Sequence, residues 1–329
     1  MRLEAPMDST RPTSPPDERP QRVLVTGAAG FVGSHVVELL ATDPRAEVIA
    51  TDAGGESRLN ELGELDGVSV HLADLRDPSA IASLVADADV VIHLAAVRTQ
   101  ASAERPRDAH DVNVGATYDL LTAARNADTK RVVLGSSHTV YGSFQDPHRE
   151  PFAEDHPWPC SGINMYAATK LAGEAYLEAF ASAGGPDYVA LRLGTIYGPR
   201  SSPGSNATLM TDLITAIHAG TTPTIPWAST AQHGLIHVDD VAEAIRRAVF
   251  SDATRMPINV SGLPRTSKEI YGTLADMLGA DPNSIVFDEN RTRYQLVSQA
   301  RLKQVLDFTP AVALEDGLRS VIDWFDAQN

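Results

Sequence analysis

The chain has a single cysteine, Cys160, in 329 residues. An internal disulfide and a cysteine-built metal cluster are therefore excluded, which fits a reducing cytoplasm. Positive charge is also scarce: 27 Lys and Arg against 43 Asp and Glu leave a formal charge of −16. Nucleic acid and anionic membranes both need a basic face, so neither is expected as a partner. A locally positive pocket could still take a small anion. No run of about 18 apolar residues occurs, so no transmembrane span is expected. The first twenty residues, MRLEAPMDSTRPTSPPDERP, hold five prolines and almost no large apolar side chain. They lack the apolar segment of a secretory signal and the pattern of a transit peptide, and are expected to form a disordered leader. Internal repeats are absent as well.

What is present is an ordinary globular composition, 43% hydrophobic, long enough for one large or two modest domains. Short β-branched runs stand at 22–26, 47–51, 68–72, 89–95, 130–136 and 188–194. Most are apolar on both faces, as parallel strands covered by helices must be. Helical stretches near 31–42, 78–86, 106–127 and 164–183 alternate with them. That alternation predicts an α/β fold with a doubly wound parallel sheet. Past residue 195 the pattern loosens into turns, a helix near 207–219 and the Pro-rich TTPTIPW. LIHVDDVAEAIRRAVF (235–250) reads as a strand feeding a helix capped near Asp239 or Asp240. The expected division is a leader over 1–20, a cofactor domain over 21–199 and 234–263, and a smaller mixed α/β lobe over 200–233 and 264–329.

VLVTGAAGFVGSHVVELL places Gly27, Gly30 and Gly33 directly after the first run. Glycines there allow a tight turn, let backbone amides approach a pyrophosphate, and permit close helix–strand packing. The same string is equally compatible with a plain turn. Asp52, nineteen residues after Gly33, stands where a carboxylate would bind both adenosine ribose hydroxyls, favouring NAD over NADP; otherwise it is a turn residue before two glycines. Asp74, just past the third run, is either an adenine contact or a helix cap. In NMYAATKLAG, Tyr166 and Lys170 are four apart and share one helix face, as a catalytic phenol and cation or as a surface pair.

TGAAGFVG, DL at 74–75, HLAA at 93–96, Asn113, SSHTVYG, YAATK, LRLGTIYGP and IHVDDVA occur in the order and spacing of one family. The chain resembles the extended short-chain dehydrogenase/reductases, the NAD-dependent sugar epimerases and dehydratases, from about residue 22 to its C-terminus. The resemblance implies a Rossmann-type sheet with a C-terminal substrate lobe. It further implies NAD held by Gly27, Ala29, Gly30, Phe31, Val32, Gly33, Asp52, Asp74, Leu75, Leu94, Ala95, Ala96, Asn113, Ser136, Tyr166 and Lys170. By the same resemblance Ser137 would bond the reacting hydroxyl and Tyr166 would exchange its proton. Lys170 would bind the nicotinamide ribose and depress the tyrosine pKa. A free phenol titrates near ~10, so neutral-pH work requires about 4 kcal/mol of help. Lys170 and the positive nicotinamide ring both favour the phenolate. Family analogy also implies a homodimer through the helices near 106–127 and 164–183.

Dehydratases of this family carry Asp–Glu between the catalytic hydroxyl residue and VYG, and nucleotide-sugar decarboxylases place a Glu there. This chain has His138 and Thr139, so neither elimination nor that decarboxylation is expected. Epimerisation of a sugar, by preference a nucleotide sugar, remains. The alternatives are net dehydrogenation of a sugar or sugar acid, and a non-catalytic NAD-binding regulatory or scaffold protein. Where nucleotide-sugar members have a substrate-touching Asn and a phosphate-pairing Arg, this chain has Thr195 and His233. Arg200, Arg265, Arg291 and Arg293 are the candidate replacements, or surface charges. Arg98 would meet a substrate carboxylate or phosphate, or point outward. His138 would touch substrate or pack against its loop. Cys160 reads as packing, because no base stands beside it.

Overall fold

In the computed structural model, residues 19–142, 144, 150–159, 161–201 and 208–328 are described. The leader expectation falls mostly on 1–18 and the Cys160 expectation on 160, both outside these residues.

The β-branched runs become strands β1 (Gln21–Thr26), β2 (Ala46–Asp52), β3 (Val68–Leu72), β4 (Val90–His93), β5 (Arg131–Ser137) and β6 (Asp187–Leu193). A seventh, β10 (Met256–Val260), returns to pair with β6, and all six pairings are parallel. The order is β10-β6-β5-β4-β1-β2-β3. From β1 the chain steps outward through β2 to β3, then crosses back to β4 and continues the other way. The crevice between β1 and β4 is thus the topological switch point, where open α/β sheets collect ligands.

Alternating side chains serve the two faces. Val23 and Val25 pack with Val36 and Leu40 of α1 (Phe31–Ala41) and with Val241 and Ile245 of α9 (Val238–Phe250). Leu24 faces the other layer, with Leu120 and Leu121 of α6 (Ala116–Asn126) and Leu177 of α7 (Met165–Ser182). Each fully buried Leu or Val contributes roughly 1.5–3 kcal/mol. Helices α2 (Glu56–Leu62) and α3 (Pro78–Val85) cover the sheet further out, while α4 (Thr99–Glu104) and α5 (Pro106–His110) pack on α7.

The smaller lobe is built on two short sheets. Strands β7 (Thr195–Tyr197), β9 (Gln232–His237) and β11 (Pro264–Thr266) form one, and β8 (Thr224–Ile225) with β12 (Val286–Phe287) forms the other. Around them α8 (Thr208–His218), α10 (Ser267–Met277) and α12 (Leu314–Asp326) bury Ile214, Leu274 and Leu318. A capping box between Thr266 and Glu269 starts α10.

The structure differs from expectation in three places. The stretch 106–127 is not one helix: a π turn, Asp111–Gly115, separates α5 from α6. Its wider hydrogen-bond ring absorbs an extra residue and turns Asn113 toward Val97. Helix α9 is capped by His237, whose ring accepts the Asp239 amide, while Asp239 and Asp240 occupy the first turn. Finally, α11 (Ala300–Leu306) lies on the main sheet rather than the smaller lobe, because Leu302, Leu306 and Phe308 complete the β10 side of the core.

Candidate active site

At the switch point, Gly27 turns the chain with φ +72, a left-handed conformation that costs glycine least. A Cβ there would lie 2.7 Å from the Ala95 amide nitrogen, so the turn presses against the segment after β4. At Gly33 a Cβ would lie 2.0 Å from the Gly27 carbonyl oxygen, which fixes how closely α1 approaches the turn. Gly30 is the N-cap of α1 and offers no side-chain cap. The amides of Phe31 and Val32 are orphan donors beside the positive end of the helix dipole, suited to an anion. Asp52, at the end of β2, accepts the amides of Ala29 (3.1 Å) and Gly54 (3.3 Å). Burial raises its pKa while these amides oppose the rise, and the carboxylate is held against the turn. Asp74 is half-buried and engaged by Arg76, which lowers its pKa; Leu75 beside it is buried.

Behind this cradle runs a buried hydrogen-bond chain with one possible polarity. The Ala95 amide reaches Thr26 Oγ1, whose hydroxyl meets His93 Nδ1 at 2.8 Å. His93 Nε2 meets Thr117 Oγ1 at 3.0 Å, and that hydroxyl donates to the Asn113 carbonyl. A carbonyl only accepts, so Thr117 must take its bond from His93 Nε2–H, and Thr26 must donate to Nδ1. Burial depresses His93 to about 3 and keeps the ring neutral. Asn113 continues the chain: its Oδ1 accepts the Val97 amide and its Nδ2 donates to the Val97 carbonyl and to Thr169 Oγ1. Thr169 in turn donates to the backbone carbonyl of Tyr166. Asn113 therefore joins the Leu94–Val97 segment to the helix that carries the tyrosine.

That helix, α7, begins at Asn164, whose Oδ1 caps the Ala167 amide at 2.8 Å. It packs on β5 and on the short 3-10 turn His138–Tyr141. Lys170 Nζ donates to the Gly135 carbonyl at 2.7 Å and lies 5.6 Å from the Tyr166 ring centroid. Ser137 Oγ accepts the Thr139 amide (3.2 Å) and hydroxyl (3.0 Å). With both lone pairs engaged, its own proton is left to donate. Beneath, the buried Glu174 takes the Ser136 hydroxyl and a bidentate bond from Arg192. Removing one partner of such a buried pair costs about 3–5 kcal/mol.

The electrostatics depart from expectation. Burial pushes the Tyr166 phenol up to about 12, and the charge working against that rise is Arg98. Lys170 is itself drawn down to about 8 by burial, with Glu174 opposing. Desolvation outweighs the chain's own cations at the phenol.

The substrate-side candidates separate into distinct groups. Arg98 is exposed at the start of α4, with its charge felt at Tyr166. His138 and Thr195 are buried and both hydrogen-bond to Gln295, a residue that no motif marks. His233 is buried against Ser267 Oγ at 2.9 Å, and burial lowers it to about 4. As a neutral ring it is no substitute for a phosphate-binding arginine. Arg200 faces α1 rather than the smaller lobe, paired with Glu38 and contacting His35. Arg265 lies exposed on β11, opposite His233. Arg291 and Arg293 lie 4.7 and 4.9 Å from the Trp227 ring centroid. Burial draws Arg293 down to about 10, and its charge is felt at both His138 and His233.

The model of the NAD dependent epimerase/dehydratase family matches residues 23–260. The chain belongs to this family. It is 32% identical over 314 residues to a UDP-glucose 4-epimerase of Mycolicibacterium smegmatis, covering 92% of this chain and 98% of that one. A UDP-N-acetylglucosamine 4-epimerase from Methanobrevibacter ruminantium, solved with UDP-N-acetylmuramic acid, superposes with a TM-score of 0.82. It is 30% identical and covers 94% of this chain and all of its own, 100%. The UDP-glucose 4-epimerase of Thermus thermophilus, solved with NAD, gives 0.78 at 29% identity, covering 93% and 99%.

The cofactor of this epimerase/dehydratase chain is NAD, and the cradle fits it: the uncapped end of α1 for the pyrophosphate and the Asp52 carboxylate for ribose hydroxyls. When bound, NAD supplies the hydride acceptor and, oxidised, a positive ring charge. The chain supplies a fixed phenol, a serine donor and an ammonium anchored on Gly135. Sequence reading missed three groups: the Thr26–His93–Thr117 chain, the Glu174–Arg192 pair and Gln295. HLAA and YAATKLAGE contained the first two in part, but their partners come from distant strands. Nothing local marks Gln295. Among the described residues no His, Cys, Asp or Glu group could hold a metal, and no helix is long and apolar enough to cross a membrane.

Proposed function

We propose that this chain epimerises a nucleotide sugar by oxidising one hydroxyl and reducing the resulting ketone on its other face. Ser137 holds the reacting oxygen, Tyr166 takes and returns its proton, and Lys170 holds the nicotinamide ribose. The observation that carries this reading is the state of His138. Both its ring nitrogens are engaged and burial holds it at about 3, so it is neutral and unable to act as an acid or base. Its neighbour Thr139 is occupied with Ser137. The two positions that carry acid and base in a dehydratase thus supply neither, although dTDP-glucose 4,6-dehydratases are among the relatives. The reaction stops at reversible alcohol oxidation.

Arg293, with Arg291 across Trp227, is the anchor we assign to the substrate diphosphate. The Arg98 charge beside Tyr166 supports the second reading, net oxidation of a sugar acid. Incubating the protein and NAD with a panel of nucleotide sugars and free uronic acids distinguishes them. Product epimers without accumulating NADH support the proposal; stoichiometric NADH assigns a dehydrogenase; unchanged activity in Tyr166→Phe overturns both. The face carrying Tyr118 on α6, packed edge-on to Tyr176 of α7, is the one we assign to a second copy, to be tested by sedimentation of Tyr118→Glu.

A further inference from the structure

We infer that Gln295 is a positioning residue for Ser137, tying the segment that carries Arg293 to the catalytic loop through a hydrogen-bond chain of fixed polarity. The inference takes the role of Ser137 from the reading above.

The polarity follows from one carbonyl. His138 Nδ1 lies 3.0 Å from the Leu193 oxygen, which only accepts, so the ring proton sits on Nδ1. Nε2 is then a lone pair, and the group in contact with it is the amide nitrogen of Gln295. This sets the orientation of the amide, because its oxygen would meet the lone pair if the group were flipped. In the orientation found, Gln295 Oε1 accepts the Thr195 hydroxyl at 2.8 Å. All three side chains are at most 7% exposed, so water does not compete for these bonds. Burial also keeps His138 neutral across the working pH range, so the tie does not loosen by protonation.

The chain joins regions far apart in sequence. His138 directly follows Ser137 at the tip of β5. Gln295 is two residues past Arg293, in a segment with little regular structure of its own. Its backbone is fixed from both sides: the Gln232 amide donates to the Arg293 carbonyl (2.8 Å) and the Gln295 amide to Gln232 (3.1 Å). On the other side Tyr294 donates to Phe144 (2.7 Å). A displacement of Arg293 is therefore transmitted through two residues of backbone to Gln295, and from Gln295 through His138 to the adjoining Ser137. His138, which stands where dehydratases of the family carry a carboxylate, and Thr195, which stands where nucleotide-sugar members carry an Asn, are the two ends that Gln295 joins. They form one unit.

Gln295→Leu keeps the volume and removes both bonds. Its kcat is expected to fall about tenfold with KM changed less than about twofold and NAD affinity unchanged. Thr195→Val removes one bond and serves where Gln295→Leu fails to fold, with a smaller loss in kcat that Thr195→Ser restores. Separately, nitrogen NMR of histidine-labelled protein is expected to find neutral His138 protonated on Nδ1, with that signal altered in Gln295→Leu. An Nε2–H tautomer in the wild type overturns the inference. So does a Gln295→Leu protein of lowered thermal stability whose kcat per folded molecule is intact, since that describes a structural tie alone. If the wild type turns over no sugar in the panel, the proposed function fails, and the tautomer still decides the arrangement.

Discussion

The cofactor end and the substrate side of this molecule are built from different materials. Around Gly27, Gly30 and Gly33 the working groups are backbone amides, positioned by what the side chains lack. On the side we assign to the substrate, the groups in question are side chains: Arg293 on Trp227, and His138 joined to Thr195 by Gln295. Backbone geometry is enforced by sterics over a few adjacent residues. Side-chain constellations depend on segments that meet only after folding.

Substitutions put that contrast to the test, beginning with the residue that both halves serve. Tyr166→Phe should lower kcat by about 10³-fold while leaving NAD binding intact, as measured by turnover and cofactor titration. Gly33→Ala should strike the cofactor end alone: a Cβ 2.0 Å from a backbone oxygen forces the helix away from the turn. Calorimetry should find NAD affinity down by about 100-fold and stability lower by about 1–3 kcal/mol. Arg293→Met should do the reverse. Losing a charge-assisted contact worth about 2 kcal/mol should raise KM for a nucleotide sugar roughly 30-fold with NAD affinity unchanged. Loss of NAD affinity in Arg293→Met would dissolve the distinction between the two ends.

Smaller effects refine it. Asp52→Asn should narrow the preference for NAD over NADP by about tenfold, read from paired cofactor titrations. Arg98→Gln should move the acid limb of the pH–rate profile upward. Arg98 favours the phenolate, so without it a higher pH is needed to reach the same ionised fraction.

The parallel sheet was legible because its strands are apolar on both faces and its glycines fall where the first strand must turn. The short sheets of the smaller lobe were not: β8 and β12 have two residues each, too few for any period to register. The bonds of Asn113 to Val97 and Thr169 were not legible, because a π turn breaks the helix that spacing predicted. The Tyr166–Lys170 pair was legible as geometry, but the direction of the phenol's pKa was not, because spacing carries no measure of desolvation. Arg200 was legible only as a charge, and its partner Glu38 lies on a helix 162 residues earlier.

The hydrogen-bond chain through His93 has a consequence for proton traffic. It starts at a backbone amide and ends on backbone carbonyls, and its histidine stays neutral. It meets Tyr166 at the carbonyl and never at the phenol. Such a chain is an insulator, able to hold the helix but unable to conduct a proton away from it. A proton taken up by Tyr166 in the proposed reaction finds no exit along this path. For an enzyme whose redox change must cancel within each turnover, a closed back wall keeps the proton and the hydride in the same account.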